Sequence, residues 1–264
     1  MASSSRLTRS LRHEYELFVE QEIENYKESV PRSVLLSIGD EAVAALSAQP
    51  QFALTELLLC EEVDRIIVRR LRLSTYESWR RRRLKLIDEL RRPEHWGLRP
   101  DDVLVRTFPT SGEGRVLVAG ALDETSALYL AANGCQVTKL ATEEDAAERV
   151  TQAAIGAGLS GRVHAQVGDL SSFAPDTPLN AVIVDPAALA TLSSSERARV
   201  IEVLQSATLD GGVHLVQTLA GIGSGGETLS LDELRARYRG WEVTVERGEG
   251  EEWARTFVAR KGAA

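Results

Sequence analysis

The spacing of hydrophobic residues changes partway along the chain. From Leu7 to Leu98 apolar residues recur every three or four positions without strand alternation, which is typical of amphipathic helices. From Arg115 onward, short apolar runs alternate with amphipathic segments, which predicts strands followed by helices. The chain is therefore predicted to combine an α-helical part with an α/β part.

The N-terminal part is predicted to form four helices. Pro31, Pro50 and Pro93 interrupt the helical pattern, and Ser74-Thr75-Tyr76-Glu77 fits the Ser-x-x-Glu capping box of the last helix. The predicted helices are Leu7–Val30, Arg32–Ala48, Leu54–Leu71 and a segment from Ser74 to about Arg92.

Proline and glycine are frequent in residues 93–114, where the helical periodicity is weak. We therefore predict an α-helical domain over residues 1–105, a linker over 106–114 and an α/β domain over 115–264.

The α/β part is predicted to contain five strand–helix units and a closing hairpin. The predicted strands are 115–120, 135–141, 162–167, 180–185 and 212–218, and the helices are 123–133, 143–158, 193–208 and 230–239. Thr142, Ser193 and Ser230 are candidate helix caps. Trp241–Glu246 and Trp253–Ala259 alternate across Gly248-Glu249-Gly250, which predicts an antiparallel hairpin.

Composition is ordinary for a globular protein. The 264 residues are 43% hydrophobic, no run is long enough to span a membrane, and Met1–Val19 lacks a secretion-signal pattern. Cys60 and Cys135 lack a zinc-site spacing and are predicted to be buried free thiols, so we expect a cytoplasmic protein. The net charge of −8 arises after residue 110, which disfavours nonspecific nucleic-acid binding by that half.

Four stretches of the α/β part resemble class I S-adenosylmethionine-dependent methyltransferases, over about residues 113–261. They are Val116–Gly120 with Ser126–Gly134, Val167–Leu170, Ala181–Asp185 and Leu209–Leu215. The resemblance implies a Rossmann-like α/β methyltransferase sheet with a terminal antiparallel hairpin, here preceded by an α-helical domain.

The resemblance also implies that S-adenosylmethionine lies against Gly120 and the turn after it. This turn is glycine-rich in the family, but Leu122 and Glu124 stand at the later glycine positions, so the motif is degenerate. Asp123 and Glu124 would place negative charge near the carboxylate of the cofactor. An ordinary turn, with acids favouring the start of a helix, also explains them.

Two acids are further candidates for cofactor binding. Ala141 stands where the family places a ribose-binding acid and cannot accept a hydrogen bond, so Glu143 is a candidate replacement. Asp169 suits a contact with the adenine amine. A first-turn acid at Glu143 and a turn-capping Asp169 are the structural alternatives.

Asp185 is the candidate catalytic residue. Asp185-Pro186-Ala187-Ala188 resembles the Asp/Asn-Pro-Pro-aromatic motif of family members that methylate nitrogen, but it lacks the second proline and the aromatic residue. A strand-terminal cap is the alternative role of Asp185. Gly120, Ala141, Asp169 and Asp185 would line one crevice at the carboxyl ends of the strands. The histidines show no metal-ligand spacing, so we expect no metal.

Basic residues are concentrated in two of the predicted helices. They are Arg69, Arg70, Arg72, Arg80, Arg81, Arg82, Arg83, Lys85, Arg91 and Arg92. Nucleic-acid binding through Arg80–Arg83 is one interpretation. A solvated or salt-bridged helix is the other, because four consecutive arginines surround a helix instead of forming one face.

Three functional hypotheses remain open at this point. The first is a methyltransferase of unknown substrate, with S-adenosylmethionine at Gly120 and Asp169. The second is an inactive methyltransferase-fold protein whose helical domain binds a protein partner. The third is nucleic-acid binding through the arginine-rich helices.

Overall fold

A computed structural model describes residues 10–48, 56–108, 114–120, 124–185, 188–189, 192–219, 229–247 and 254–262. The chain divides into two compact units, Met1–Leu86 and Ile87–Ala264. This division lies upstream of the sequence-predicted linker at residues 106–114. No helix in the described ranges is long and apolar enough to cross a membrane.

The first unit is built from helices, as the hydrophobic spacing predicts. They are Leu11–Ser29 (α1), Arg32–Ser47 (α2), Glu56–Leu71 (α3) and Tyr76–Leu90 (α4), the last of which extends past the division. Its buried core consists of Ile23, Ile38, Ala42, Ile66 and Ile67. Thr75, not Ser74, caps the start of α4, because its hydroxyl accepts a hydrogen bond from the Ser78 amide.

Residues 87–108 belong to the second unit because their apolar side chains pack on its core. They form the end of α4, a 3₁₀ turn over Pro93–Trp96 and a short helix over Val103–Thr107 (α5). Leu90 is buried in that core, and Trp96 and Phe108 pack against it. This proline-containing segment, residues 87–108, is therefore packed on the core of the second unit, and we call it the arm.

A seven-stranded sheet forms the centre of the second unit. Its strands are Arg115–Ala119 (β1), Gln136–Ala141 (β2), Val163–Val167 (β3), Leu179–Val184 (β4), Thr208–Leu219 (β5), Glu242–Arg247 (β6) and Ala254–Arg260 (β7). Their order is β3-β2-β1-β4-β5-β7-β6. Strands β1 to β5 pair in parallel, whereas β7 runs antiparallel to β5 and β6. The predicted sheet with a terminal hairpin is confirmed, although residues 248–253 lie outside the described ranges.

Helices flank this sheet in the predicted alternation. They are Glu124–Ala132 (α6), Glu144–Gly156 (α7), Ser194–Ala207 (α8) and Leu231–Arg237 (α9). Along β1, Val116 and Val118 enter one buried cluster and Leu117 and Ala119 another, because successive strand residues point to opposite faces. Burial on both faces explains the continuous apolar character of this strand.

Local capping determines where several of these helices begin. The Ser193 hydroxyl accepts from the Glu196 amide and the Glu196 carboxylate accepts from the Ser193 amide, which completes a capping box at α8. Ser230 caps α9 by accepting from the Glu233 amide. Helix α7 differs from the prediction, since Glu143 and not Thr142 occupies its N-cap position.

Candidate functional site

The carboxyl ends of the parallel strands bring the candidate residues to one edge of the sheet. Backbone hydrogen bonds join Gly120 N to Leu140 O at 3.3 Å, Gly168 N to Ala141 O at 2.9 Å and Asp185 N to Ala119 O at 2.9 Å. Four neighbouring strands therefore end together, which is where ligands bind in open α/β sheets. We call this edge the carboxyl-edge crevice.

Gly120 and Asp185 are packed together in this crevice. Gly120 has a φ of +127°, and a Cβ atom on it would lie 2.5 Å from Cβ and Cγ of Asp185. Asp185 is only 1% exposed. Position 120 therefore requires glycine for both its backbone conformation and its contact with the Asp185 side chain.

Lys139 is a buried cation beside the same bend. It lies in the middle of β2, is 1% exposed, and its Nζ donates a hydrogen bond of 2.6 Å to Gly120 O. A buried ammonium is costly unless its protons are bonded, so this contact fixes the backbone after β1. The sequence prediction missed Lys139, although a lysine within the apolar run Val137–Ala141 was a visible signal.

The end of β2 leaves a carboxylate near the crevice. The side chain of Ala141 is fully buried and provides no hydrogen-bond acceptor. Glu143 is exposed at the start of α7, and its side chain makes no capping hydrogen bond. Glu143 is thus placed where an acid could face a ligand, and its role in ribose binding stays a prediction.

Asp169 serves the turn that follows β3. Its carboxylate accepts a hydrogen bond from the Ser171 amide at 2.7 Å, while its carbonyl accepts from the amides of Ser172 and Phe173 at 3.1 Å. Asp169 therefore has the turn-capping role that the sequence offered as the alternative to cofactor binding. Because Asp169 is also exposed, a contact with an adenine amine stays a prediction compatible with this turn.

Part of the first turn lies outside the described ranges, namely residues 121–123 with Leu122 and Asp123. Glu124 opens α6, and its carboxylate lies 3.1 Å from Nε of Arg149. This ion pair reduces the repulsion that Glu124 would exert on an anionic ligand group. Pro186 and Ala187, which follow Asp185, are likewise outside the described ranges.

Some arginines of the cluster form ion pairs or hydrogen bonds within the first unit. Arg83 Nε lies 3.2 Å from a Glu14 carboxylate oxygen, and Arg82 donates a hydrogen bond to the Ser74 hydroxyl. Arg80 and Arg81 are exposed and have no ion pair within the part of the chain that the structure describes. Some arginines of the cluster are therefore bonded within the first unit, and others carry charge that is exposed to solvent.

The described residues of the two units contain no cluster of metal-ligating side chains. Among those residues, no group of three or more His, Cys, Asp and Glu side chains could hold a metal ion. Neither cysteine forms a disulfide; Cys135 is buried as predicted, but Cys60 is exposed, contrary to the prediction.

No protein-family profile matches the sequence, and no curated protein sequence matches it. Solved structures do match the fold. The N-methyltransferase NodS from Bradyrhizobium japonicum WM9 aligns with a TM-score of 0.51 and 14% identity, over 60% of this chain and 92% of NodS.

Two other solved structures align less closely. The glycopeptide N-methyltransferase MtfA complexed with S-adenosylmethionine gives a TM-score of 0.49 and 17% identity, over 59% of this chain and 90% of MtfA. TehB from Haemophilus influenzae gives 0.49 and 16%, over 57% of this chain and 58% of TehB. At this identity the likeness shows the fold alone, and the second unit has a class I methyltransferase-like fold.

Proposed function

We propose that the protein is an S-adenosylmethionine-dependent methyltransferase that binds its cofactor in the carboxyl-edge crevice. The observation that supports this most is the packing of buried Asp185 against Gly120 at the end of β1. This contact places a carboxylate at the point where the fold binds ligands, beside a backbone bend without a side chain.

The residues around the crevice fit the groups of this cofactor. Glu143 carries an exposed carboxylate that could accept hydrogen bonds from ribose hydroxyls, and Asp169 carries another for the adenine amine. Buried Asp185 would favour a ligand with a positive centre. Lys139 would hold the Gly120 carbonyl in place while the ligand binds.

S-adenosylmethionine, when bound, supplies an electrophilic methyl group on a positively charged sulfur. Asp185 would orient a nitrogen or oxygen nucleophile by accepting a hydrogen bond from it, and could accept its proton as the new bond to carbon forms. Burial of Asp185 limits competition from water for that hydrogen bond. The absence of a side chain at Gly120 leaves room for the Asp185 side chain beside this bend.

Calorimetry with S-adenosylmethionine and S-adenosylhomocysteine tests this proposal on the full chain. Asp169→Asn keeps an oxygen for the Ser171 amide and Glu143→Gln removes no capping bond, so both should fold normally. We expect each to weaken binding by about tenfold, because each removes a charged hydrogen-bond acceptor. Glu148→Gln, at an exposed position of α7, is the matched control.

Absence of binding by folded wild-type protein would refute the proposal. Equal affinity of all three variants would show that the two acids do not contact the cofactor. A labelled-methyl assay with small amines, alcohols, peptides and nucleic acids would then identify the substrate class.

Nucleic-acid binding, a protein partner and a cytoplasmic location are further predictions from the sequence. Exposed Arg80 and Arg81 support a test of nucleic-acid binding by salt titration, in which no binding at low salt rejects that partner. A protein partner of the helical unit and a cytoplasmic location also stay predictions.

A further inference from the structure

A cavity of about 830 Å³ lies in the second unit, apart from the carboxyl-edge crevice. The 3₁₀ turn at Pro93–Trp96, the end of α5 and Tyr129 of α6 border it. None of Gly120, Glu143, Asp169 and Asp185 lines it. Its volume is in the range of small-molecule sites.

The lining of this cavity combines apolar side chains with exposed charged side chains, and we call the charged part the rim. Half-buried Pro93, Val105 and Phe108 contribute apolar surface, together with buried Tyr129. The rim carries exposed side chains of both signs, namely Glu89, Arg91, Arg92, Glu94 and His95. A ligand that fits this lining therefore combines an apolar part with charged groups.

Tyr129 contributes a polar group to the lining of the cavity. Its side chain is buried, with 1% of its surface exposed. Burial, followed by the charges of Cys135 and Glu94, raises the pKa of Tyr129, so the hydroxyl keeps its proton and can donate it. A ligand oxygen in the cavity would be a suitable acceptor for this proton.

The charged rim has unpaired groups of both signs. The carboxylate of Glu89 lies 3.8 Å from the His95 ring, whereas Arg91, Arg92 and Glu94 form no side-chain ion pair within the described ranges. The guanidinium groups of Arg91 and Arg92 favour a carboxylate, and the carboxylate of Glu94 favours an ammonium group. The rim is thus complementary to a zwitterion.

Hydrogen bonds hold the walls of the cavity in place. Trp96 Nε1 donates to Leu90 O at 2.6 Å, and the Asn133 side-chain amide donates to Arg91 O at 3.3 Å. The Leu98 amide donates to Pro93 O at 3.0 Å. Such a preformed site loses less conformational freedom on binding than a flexible one.

We propose that this cavity binds a small zwitterion with an apolar side chain, the chemical class of apolar α-amino acids. The carboxylate lies at Arg91 and Arg92, the ammonium group at Glu94, and the side chain against Phe108 and Val105. Tyr129 donates a hydrogen bond to the carboxylate. The site is independent of the proposed methyl transfer.

Titration of the full chain with three related probes tests this assignment. L-phenylalanine carries both charges, 3-phenylpropanoate lacks the ammonium group and phenethylamine lacks the carboxylate. We expect L-phenylalanine to bind about tenfold more tightly than either single-charge probe, because each charged hydrogen bond contributes to affinity.

Variants of the rim assign each charge. Arg91→Gln with Arg92→Gln should weaken L-phenylalanine and 3-phenylpropanoate but not phenethylamine, and Glu94→Gln should weaken L-phenylalanine and phenethylamine only. Tyr129→Phe keeps the ring and should weaken L-phenylalanine about fivefold. Arg80→Gln with Arg81→Gln, at two arginines that are not among the lining residues, is the matched control and should change nothing.

The proposal is overturned if L-phenylalanine does not bind at concentrations up to about 10 mM. It is also overturned if 3-phenylpropanoate binds as tightly as L-phenylalanine, which would indicate a site for apolar acids, or if the rim variants behave like the control. Binding of S-adenosylhomocysteine should be the same in Tyr129→Phe and wild type, which distinguishes this site from the crevice.

Discussion

Position 120 combines a backbone restriction with a steric one. Gly120→Ala would place a methyl group at a φ of +127° and 2.5 Å from the Asp185 side chain. We expect a loss of more than about 2 kcal/mol in the free energy of unfolding, together with loss of cofactor binding. Urea denaturation and calorimetry measure the two effects.

Gly97→Ala is the control for this substitution. Gly97 has a φ of +74°, but a Cβ atom on it would meet nothing within 4 Å. Its cost should be about 1 kcal/mol, from the backbone alone. Equal costs at the two positions would contradict the contact between Gly120 and Asp185.

A buried polar network surrounds His214 in β5. Thr208 donates its hydroxyl proton to Leu204 O at 2.6 Å, so it accepts from His214 Nε2 at 2.8 Å. His214 Nδ1 then accepts from the Tyr238 hydroxyl at 2.7 Å. Burial, and secondarily Lys261, lowers the pKa of His214 to about 3.

This pKa makes stability depend on pH. In the unfolded chain His214 has an ordinary pKa near 6.5, so the unfolded chain binds this proton at a higher pH than the folded protein does. The contribution of the neutral imidazole to the free energy of unfolding is therefore complete above pH 6.5 and decreases as the pH falls toward 3. The advantage of wild type over His214→Phe should therefore shrink by up to about 1.4 kcal/mol per pH unit below pH 6. Denaturation at pH 7, 6 and 5 measures it.

His164→Phe provides the comparison for His214→Phe, because His164 is exposed in β3. The stability difference between wild type and His214→Phe should change more steeply with pH than the difference between wild type and His164→Phe. Equal slopes for the two variants would contradict a buried neutral imidazole at position 214.

At the scale of elements, most boundaries of the α/β unit follow from the sequence. Continuous apolar runs and capping residues predict strands and helices because burial on both faces and amide capping act locally. Lys139 was missed because its value depends on the nonlocal bond to Gly120 O. The sequence pattern places residues 87–105 in the α-helical domain and 106–108 in the linker, because the contacts of their side chains with the α/β core are nonlocal.

Helix α4 provides a direct test of that arm. Leu90 is 6% exposed in the core of the second unit, whereas Leu86, one turn earlier, is 41% exposed. Leu90→Ala should cost about 2 to 5 kcal/mol, and Leu86→Ala less than about 1 kcal/mol. The free energy of unfolding by urea measures both, and similar costs would contradict packing of the arm on the α/β core.

At the scale of the whole molecule, the fold is shared with methyltransferases, but the residues at the expected cofactor positions differ from the family pattern. Ala141 provides no ribose-binding acid, and Lys139 supports the Gly120 bend from a strand position inside the unit. The helical unit carries exposed arginines. Cofactor binding therefore depends on whether Glu143 and Asp169 replace the usual contacts.

A crystal structure of the full chain grown with saturating S-adenosylhomocysteine tests the central claim most directly. The account predicts electron density for the ligand between the bend at Gly120 and the turn at Asp169, with its ribose facing Glu143. An empty crevice, or ligand bound elsewhere on the protein, would contradict the proposed methyltransferase site.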